Sequence, residues 1–549
     1  MKKQVISALM LTFAISGCSG QDATGTTSTQ PTSEQQTSPT PATGTEKIRE
    51  HIFRTNTFVE PPTADPGILD DIASETVTRA LFDGLTRIGQ DNKPHEAAAE
   101  KIEVSPDGLT YIFTIRDAKW SNGDPVTAYD FEFAWKRVLD PSTGSKSPDK
   151  LYYLKNGKKA HMGQAKPDEI GVKATNDKTL VVTLESPAPF FLELTAYPTY
   201  YPVNKKLVES NTKWAVDPNE YVSNGPFKLE TWDHKSKMVL AKNENYWDAN
   251  TVKLDKIELS MIEDPNTELS MFENGELDLA GTPLGALPFD AMPTLKESGK
   301  LEIQPYAATY WYKFNTEKPP FNNVKIRKAF TYAINRQQII DNVTQGNQLP
   351  ATSALPPSMT FKQEPFFHDG DIQTAKQLLA EGMKEMGMTK LPAITLSFNT
   401  SEGHKKIAEA IQDQWRKALG VDVQLNNQEW KVYLETIHQG NYQVGRLGWA
   451  AQYNDPVNIL ELFKEKSGAN NDTGWENPQY KELLSKSTLE TNPTKRKELL
   501  AQAEQILMNE LPIAPIYYYT NNYVKQQYVN GLFVSDTGRV DWKWTTLTK

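Results

Sequence analysis

Between Ile394 and Gly448 the chain alternates strand and helix patterns at lengths that leave few folds open. Ile394–Phe398 and Val421–Leu425 are short runs of strand type. His404–Leu419, between them, carries apolar residues at helical spacing. Trp430–Gln439 reads as a second helix and Tyr442–Gly448 as a third strand. Parallel strands need long crossover connections, so this order predicts β/α/β units with right-handed crossovers in an α/β protein. Ligands of such sheets collect at the carboxyl ends of the strands, which here are Asn399–His404 and Trp449–Asp455.

With 549 residues the chain exceeds what one hydrophobic core organises, so at least two domains are expected. Gly171–Leu184 reads as a hairpin turning at Asn176-Asp177. Thr127 can cap a helix to Leu139 that carries Phe131, Trp135 and Val138 on one face. The net charge of −10 argues against a nucleic-acid surface, which needs a basic field.

The single cysteine, Cys18, excludes an internal disulfide and a cysteine-based zinc site. Lys2 and Lys3 precede the apolar run Val5–Ile15, too short to span a bilayer, so residues 1–17 read as a secretory signal. Small residues followed by Cys18 resemble the bacterial lipoprotein cleavage box, in which the cysteine becomes a lipidated N-terminus. Residues 19–46, rich in Thr, Ser, Gln, Pro and Gly, cannot bury enough apolar surface to order themselves. Such a coil reaches roughly 30 Å and would tether a folded body to the membrane.

Chemistry is conspicuous by its motifs' absence. The sequence has no G-x-x-x-x-G-K-[ST], G-x-G-x-x-G after a strand, G-x-S-x-G or H-E-x-x-H, and its seven histidines show no paired metal-ligand spacing. No catalytic set, cofactor or metal is expected, and a binding protein needs none.

The stretch Ala118–Pro141, AKWSNGDPVTAYDFEFAWKRVLDP, resembles the signature of the solute-binding family that serves peptide and nickel importers. NGPFKL from Asn224, NENYWD from Asn245, FENGELD from Phe272 and the run Trp311–Arg336 follow in the family's order. GANNDTGWENP (Gly468–Pro478) and LPIAPIYYYTN (Leu511–Asn521) are most similar to oligopeptide permease binding lipoproteins. The resemblance implies a two-lobed, type II periplasmic-binding-protein-like fold with an extra subdomain. Lobe I would comprise residues 47–82, 200–306 and 521–549, the subdomain 83–199, and lobe II 307–520. It implies a monomeric extracytoplasmic lipoprotein of an ABC importer, held at the cell membrane through Cys18, with short peptides and permease subunits as partners. Alternatives are a receptor for a signalling peptide, or an importer component for a modified or blocked peptide or other non-standard cargo.

The same resemblance implies roles for particular residues. Trp430 and Trp449 would line side-chain pockets, and the backbone of Gly448 and Ala450 would pair with the ligand as an added strand. Leu69–Ala73, with Asp70 and Ile72, would oppose them from lobe I, and Tyr310 and Trp311 would be aromatic contacts near the lobe crossing. Arg446 and His404 match positions that meet the peptide carboxylate, a role suited to the arginine fork. Trp120, Asp130 and Trp135 of the long signature are expected to be structural. Two departures stand out. Thr344 or its neighbour replaces a lysine that serves short-peptide carboxylates. Gln452 falls where the family carries an aspartate for the peptide's α-ammonium, and glutamine offers no charge. Asp455, on the same turn, is expected to supply it, with Asp70 or Asp71 as alternatives; the other escape is a ligand without a free ammonium.

Overall fold

The β/α/β pattern is laid down as strand β12 (Ile394–Asn399), helix α3 (Glu402–Leu419), β13 (Val423–Gln428), α4 (Trp430–His438) and β14 (Val444–Ala450). The numbering follows from the elements that precede them in the computed structural model, which describes residues 51–69, 71–211, 213–468 and 470–548. Cys18, the linker and Asp70 lie outside the described residues. The chain begins with β1 (Ile52–Asn56) and α1 (Ile72–Leu81), then β2 (Ala99–Val104), β3 (Thr110–Ile115), α2 (Ala128–Leu139), β4 (Val172–Asn176) and β5 (Thr179–Thr183). Next come β6 (Phe227–Asp233), β7 (Lys237–Lys242), β8 (Lys256–Ser260), β9 (Leu279–Gly281), β10 (Leu301–Phe314) and β11 (Leu349–Pro350). Beyond β14 lie α5 (Pro493–Glu510) and β15 (Ile513–Lys525).

Three main sheets result. One has the order β1-β8-β7-β6, and a second β2-β3-β5-β4. The third runs β9-β15-β10-β14-β12-β13, with β11 beside β15. Strands β12, β13 and β14 are mutually parallel, as the sequence pattern requires. The antiparallel pair β10 and β15 is long enough to serve both halves of the third sheet. Near its Leu301 end it adjoins β9, through Tyr523–Lys525, and near its Phe314 end it adjoins β14. Its register breaks between Pro305 and Thr309, where proline has no N–H to give the ladder. Ala307, inside the break, donates its N–H to Asp536 O (2.7 Å) and accepts from Ala451 N–H (2.8 Å).

Local signals explain the helix boundaries that matter here. Asp71 accepts from Ser74 N–H (2.8 Å) and starts α1, while Ser401 accepts from His404 N–H (3.4 Å) and starts α3. Gly420 ends α3 at φ 68°, a left-handed conformation that costs glycine nothing. In α2 the Asp130 carboxylate accepts Thr127 N–H (2.8 Å), and Phe131, Trp135 and Val138 are all buried. Trp120 is buried too, and the Trp135 indole donates to Tyr200 O (2.7 Å). Within the long signature Trp120, Asp130 and Trp135 serve packing and capping. Among the described residues no helix is long and apolar enough to cross a membrane.

Candidate functional site

Strand β14 has a ladder on one side only over much of its length. It pairs with β10 from Val444↔Phe314 to Ala450↔Ala308, whereas β12 contributes only Leu396↔Val444 and Ser397↔Gly445. Among the described residues, 446–450 therefore have no strand neighbour on the β12 side. The directions of the backbone groups follow from two bonds. Ala451 N–H points toward β10, to Ala307 O, while Arg446 O points the other way and accepts the Tyr433 hydroxyl (2.5 Å). Strand alternation then turns the N–H and C=O of Gly448 and Ala450 to the unpaired edge. Exposure rises in step, from buried Val444 to exposed Ala450. Gly448 is dictated by close approach, since a Cβ there would lie 2.9 Å from Thr309 O and 3.4 Å from the Tyr519 hydroxyl.

At the start of that edge Arg446 is a cation without a counter-charge. Its guanidinium lies over the Tyr310 ring (4.7 Å) and reaches Asn399 Oδ1 (3.3 Å) and the Tyr519 hydroxyl (3.1 Å). Its Nε is buried without an acceptor, and among the described residues it forms no ion pair. Tyr310 stacks on Tyr517 (4.8 Å, 29°) and faces His404 (5.6 Å between rings). Burial, reinforced by Arg446, pushes the His404 imidazole down to about 3, so it is neutral near pH 7. The Thr344 hydroxyl is occupied by Gln348 Oε1 (2.8 Å), and Thr344 itself is buried.

Beyond Ala450 the chain enters a junction of three segments. Gln452, Tyr453 and Asn454 meet Glu193 and Tyr197 on one side and Asp536 and Arg539 on another, around a cavity of about 30 Å³. Gln452 and Tyr453 also line a cavity of about 220 Å³ with Trp449, Tyr153 and Asn458. Tyr453 stacks on Phe190 (4.7 Å, 13°), and Asn454 N–H donates to Glu193 Oε2 (2.9 Å).

The remaining expected residues fall out as follows. Trp449 is half-buried with its indole on Asn458 Oδ1 (2.9 Å), and Trp430 is 44% exposed against Tyr433. Ile72, 47% exposed, lines a separate cavity of about 270 Å³ with Asp71, Pro283 and Leu284. Two expectations need correction. Trp311 alternates with Tyr310 and Tyr312, so it lies on the face of the sheet away from Arg446, buried against Phe463 (6.0 Å). Asp455 is not free to neutralise an ammonium. Both its oxygens are held by Arg496, at 2.7 and 2.8 Å, in a buried pair. Tyr517, Tyr519, Asn399 and Glu193 were missed. The tyrosines sit two apart in the Tyr517-Tyr518-Tyr519 run, a spacing that shares one strand face; Asn399 and Glu193 carry no local signal.

The model for "Bacterial extracellular solute-binding proteins, family 5 Middle" matches residues 93–471. Over 493 residues the chain is 52% identical to the "Oligopeptide-binding protein OppA" of Bacillus subtilis, covering 88% of this chain and 90% of that protein. The unliganded open form of MppA, described as a periplasmic murein tripeptide binding protein, superposes with a TM-score of 0.79 at 31% identity, covering 91% and 98% of the two chains. Haemophilus influenzae OppA in complex with the peptide RPPGFSPFR superposes at 0.74, with 31% identity and 91% and 99% coverage.

Proposed function

The chain belongs to the bacterial extracellular solute-binding proteins of family 5, and from that premise we propose that it captures short peptides as an added strand and hands them to the permease of an ABC importer. The observation that carries the peptide mode is the unpaired edge of β14 with an uncompensated arginine at its start. A peptide laid on Gly448 and Ala450 gains main-chain hydrogen bonds that are indifferent to its sequence. Its carboxylate supplies the charge that Arg446 lacks, in reach of both guanidinium and His404. Trp449 and the cavity of about 220 Å³ beside it take one side chain.

Closure of two lobes over the ligand is the natural use of the register break between Pro305 and Thr309, because β10 and β15 are the strands that run through both halves of the third sheet. In this reading the lobes divide at residues 306/307 and 520/521, with residues 83–199 as the added subdomain. Cys18 carries the lipid that retains the protein at the membrane. The protein acts without catalysis. Mass spectrometry of protein purified under native conditions tests the peptide reading. A ladder of mixed peptides is the expected result, and a single non-peptide species would overturn it.

A further inference from the structure

We propose that Glu193 receives the ligand's α-ammonium, doing from a distant segment what Gln452 has no charge to do; this rests on the peptide reading above. If the carboxylate lies at Arg446, a strand on the β14 edge carries its other end toward Ala450 and the segment 452–454. Arg446 and Ala450 are four residues apart, about 13 Å in a strand, which extended peptides of roughly three to five residues cover. The cavity of about 30 Å³ lined by Gln452 lies at that end. Its volume is sufficient for a group the size of water, such as an ammonium.

Three carboxylates line this cavity: Glu193, Asp536 and Asp541. Asp541 is held by Arg87. The two arginines of the lining, Arg79 and Arg539, share the carboxylate of Glu75 at 2.8 and 2.6 Å. Glu193 forms no ion pair among the described residues. Its Oε2 is fixed by Asn454 N–H, two residues beyond Gln452, and among the described residues no hydrogen bond engages Oε1. Burial, with Asp455 adding to it and the Asn454 N–H and Arg496 only partly opposing it, raises its carboxyl to about 7. Asp536 is the competing acceptor. Among the described residues it also forms no ion pair, but its contacts with the rest of the junction run through its backbone, to Asn92 and Ala307.

Titration calorimetry at pH 7.5 on tetra-alanine, its N-acetyl twin and its C-terminal amide, with wild type, Glu193→Gln, Glu193→Asp and Asp536→Asn, decides the matter. Glutamine keeps the acceptor for Asn454 and removes only the charge. Wild type is expected to bind the free amine at least tenfold tighter than the acetylated twin, Glu193→Gln to erase that ratio, and Glu193→Asp to retain part of it. A ratio that survives Glu193→Gln, or that only Asp536→Asn removes, overturns the assignment. So does a wild type indifferent to acetylation that still prefers the acid to the amide, and that result leaves the peptide reading standing. Failure to bind any of the three peptides overturns both.

Discussion

Arg446→Met should separate affinity from stability. The methionine retains most of the apolar stem and deletes the charge. In the unliganded protein the guanidinium makes two long hydrogen bonds, at 3.3 and 3.1 Å, and one cation–π contact, worth together about 2 kcal/mol. Against this stands a largely enclosed cation with a buried, unpartnered Nε and no carboxylate nearby. The terms nearly cancel, so the unfolding free energy in urea should change by no more than about 1–2 kcal/mol. Binding has no such cancellation. Removing one partner of a buried charge pair costs about 2–5 kcal/mol, or roughly 30- to several-thousand-fold in Kd. Calorimetry on tri- to pentapeptides should show that loss for free acids and a much smaller one for C-terminal amides. Equal losses for acid and amide, or a mutant destabilised by more than about 3 kcal/mol, would refute the reasoning.

The two ends of the cleft should show opposite proton linkage. At the Arg446 end, a bound carboxylate lifts His404 from about 3, so free-acid peptides should take up protons as they bind at pH values above that, and amides should not. Calorimetry in buffers of different ionisation enthalpy reads this, and His404→Gln should abolish it. At the other end, Glu193 faces Asp455 and Arg496, and across the cavity Arg79, Arg539, Asp536 and Asp541. An arriving ammonium lowers its carboxyl from about 7, so free-amine peptides should release protons near pH 7. Without ligand, its raised value means the fold binds the extra proton between about pH 4.5 and 7, and the stability this lends is lost as pH rises. Glu193→Gln should therefore raise Tm at pH 8 but not at pH 4.5; a fall at pH 8 would count against it. Asp455→Asn leaves Arg496 buried and unpaired, so it should cost about 3–5 kcal/mol in urea unfolding.

How much of this was legible depended on whether a feature is local in sequence. The strand–helix order from Ile394 to Gly448 set the sheet that carries the site, because periodicity and crossover length are short-range properties. The boundaries shifted by one to three residues; Tyr442–Gly448, for instance, became Val444–Ala450, and Val421–Leu425 became Val423–Gln428. Arg446 was visible as a charge within a strand-like run. Its lack of a counter-charge was not, since that depends on Tyr310, Tyr517 and Tyr519 arriving from β10 and β15. Trp311 misled because adjacent aromatics on a strand cannot share a face. Asp455 misled for a related reason. Proximity along the chain made it a plausible partner for an ammonium near Gln452, but charge is neutralised by whatever lies nearest in space. Arg496, 41 residues on, had already taken both its oxygens.

Glu193 is the converse case. It lies 259 residues before Gln452, on the short helix Phe191–Leu194, and nothing in its neighbours marks it. Only the folded junction sets its carboxylate beside Asn454. A charge required at one end of a cleft need not come from the strand that forms the cleft. When position 452 is neutral, a carboxylate from another segment can meet the same ammonium if it borders the same cavity. The arrangement also alters what substitution at position 452 should do. Gln452→Asp would place a second carboxylate at a cavity already holding Glu193, and two like charges there would raise each other's pKa. That variant should therefore gain less than tenfold for free-amine peptides in the Glu193 background, and should gain more once Glu193 is glutamine. A gain of the same size in both backgrounds would mean that Glu193 and position 452 do not meet the same ligand group.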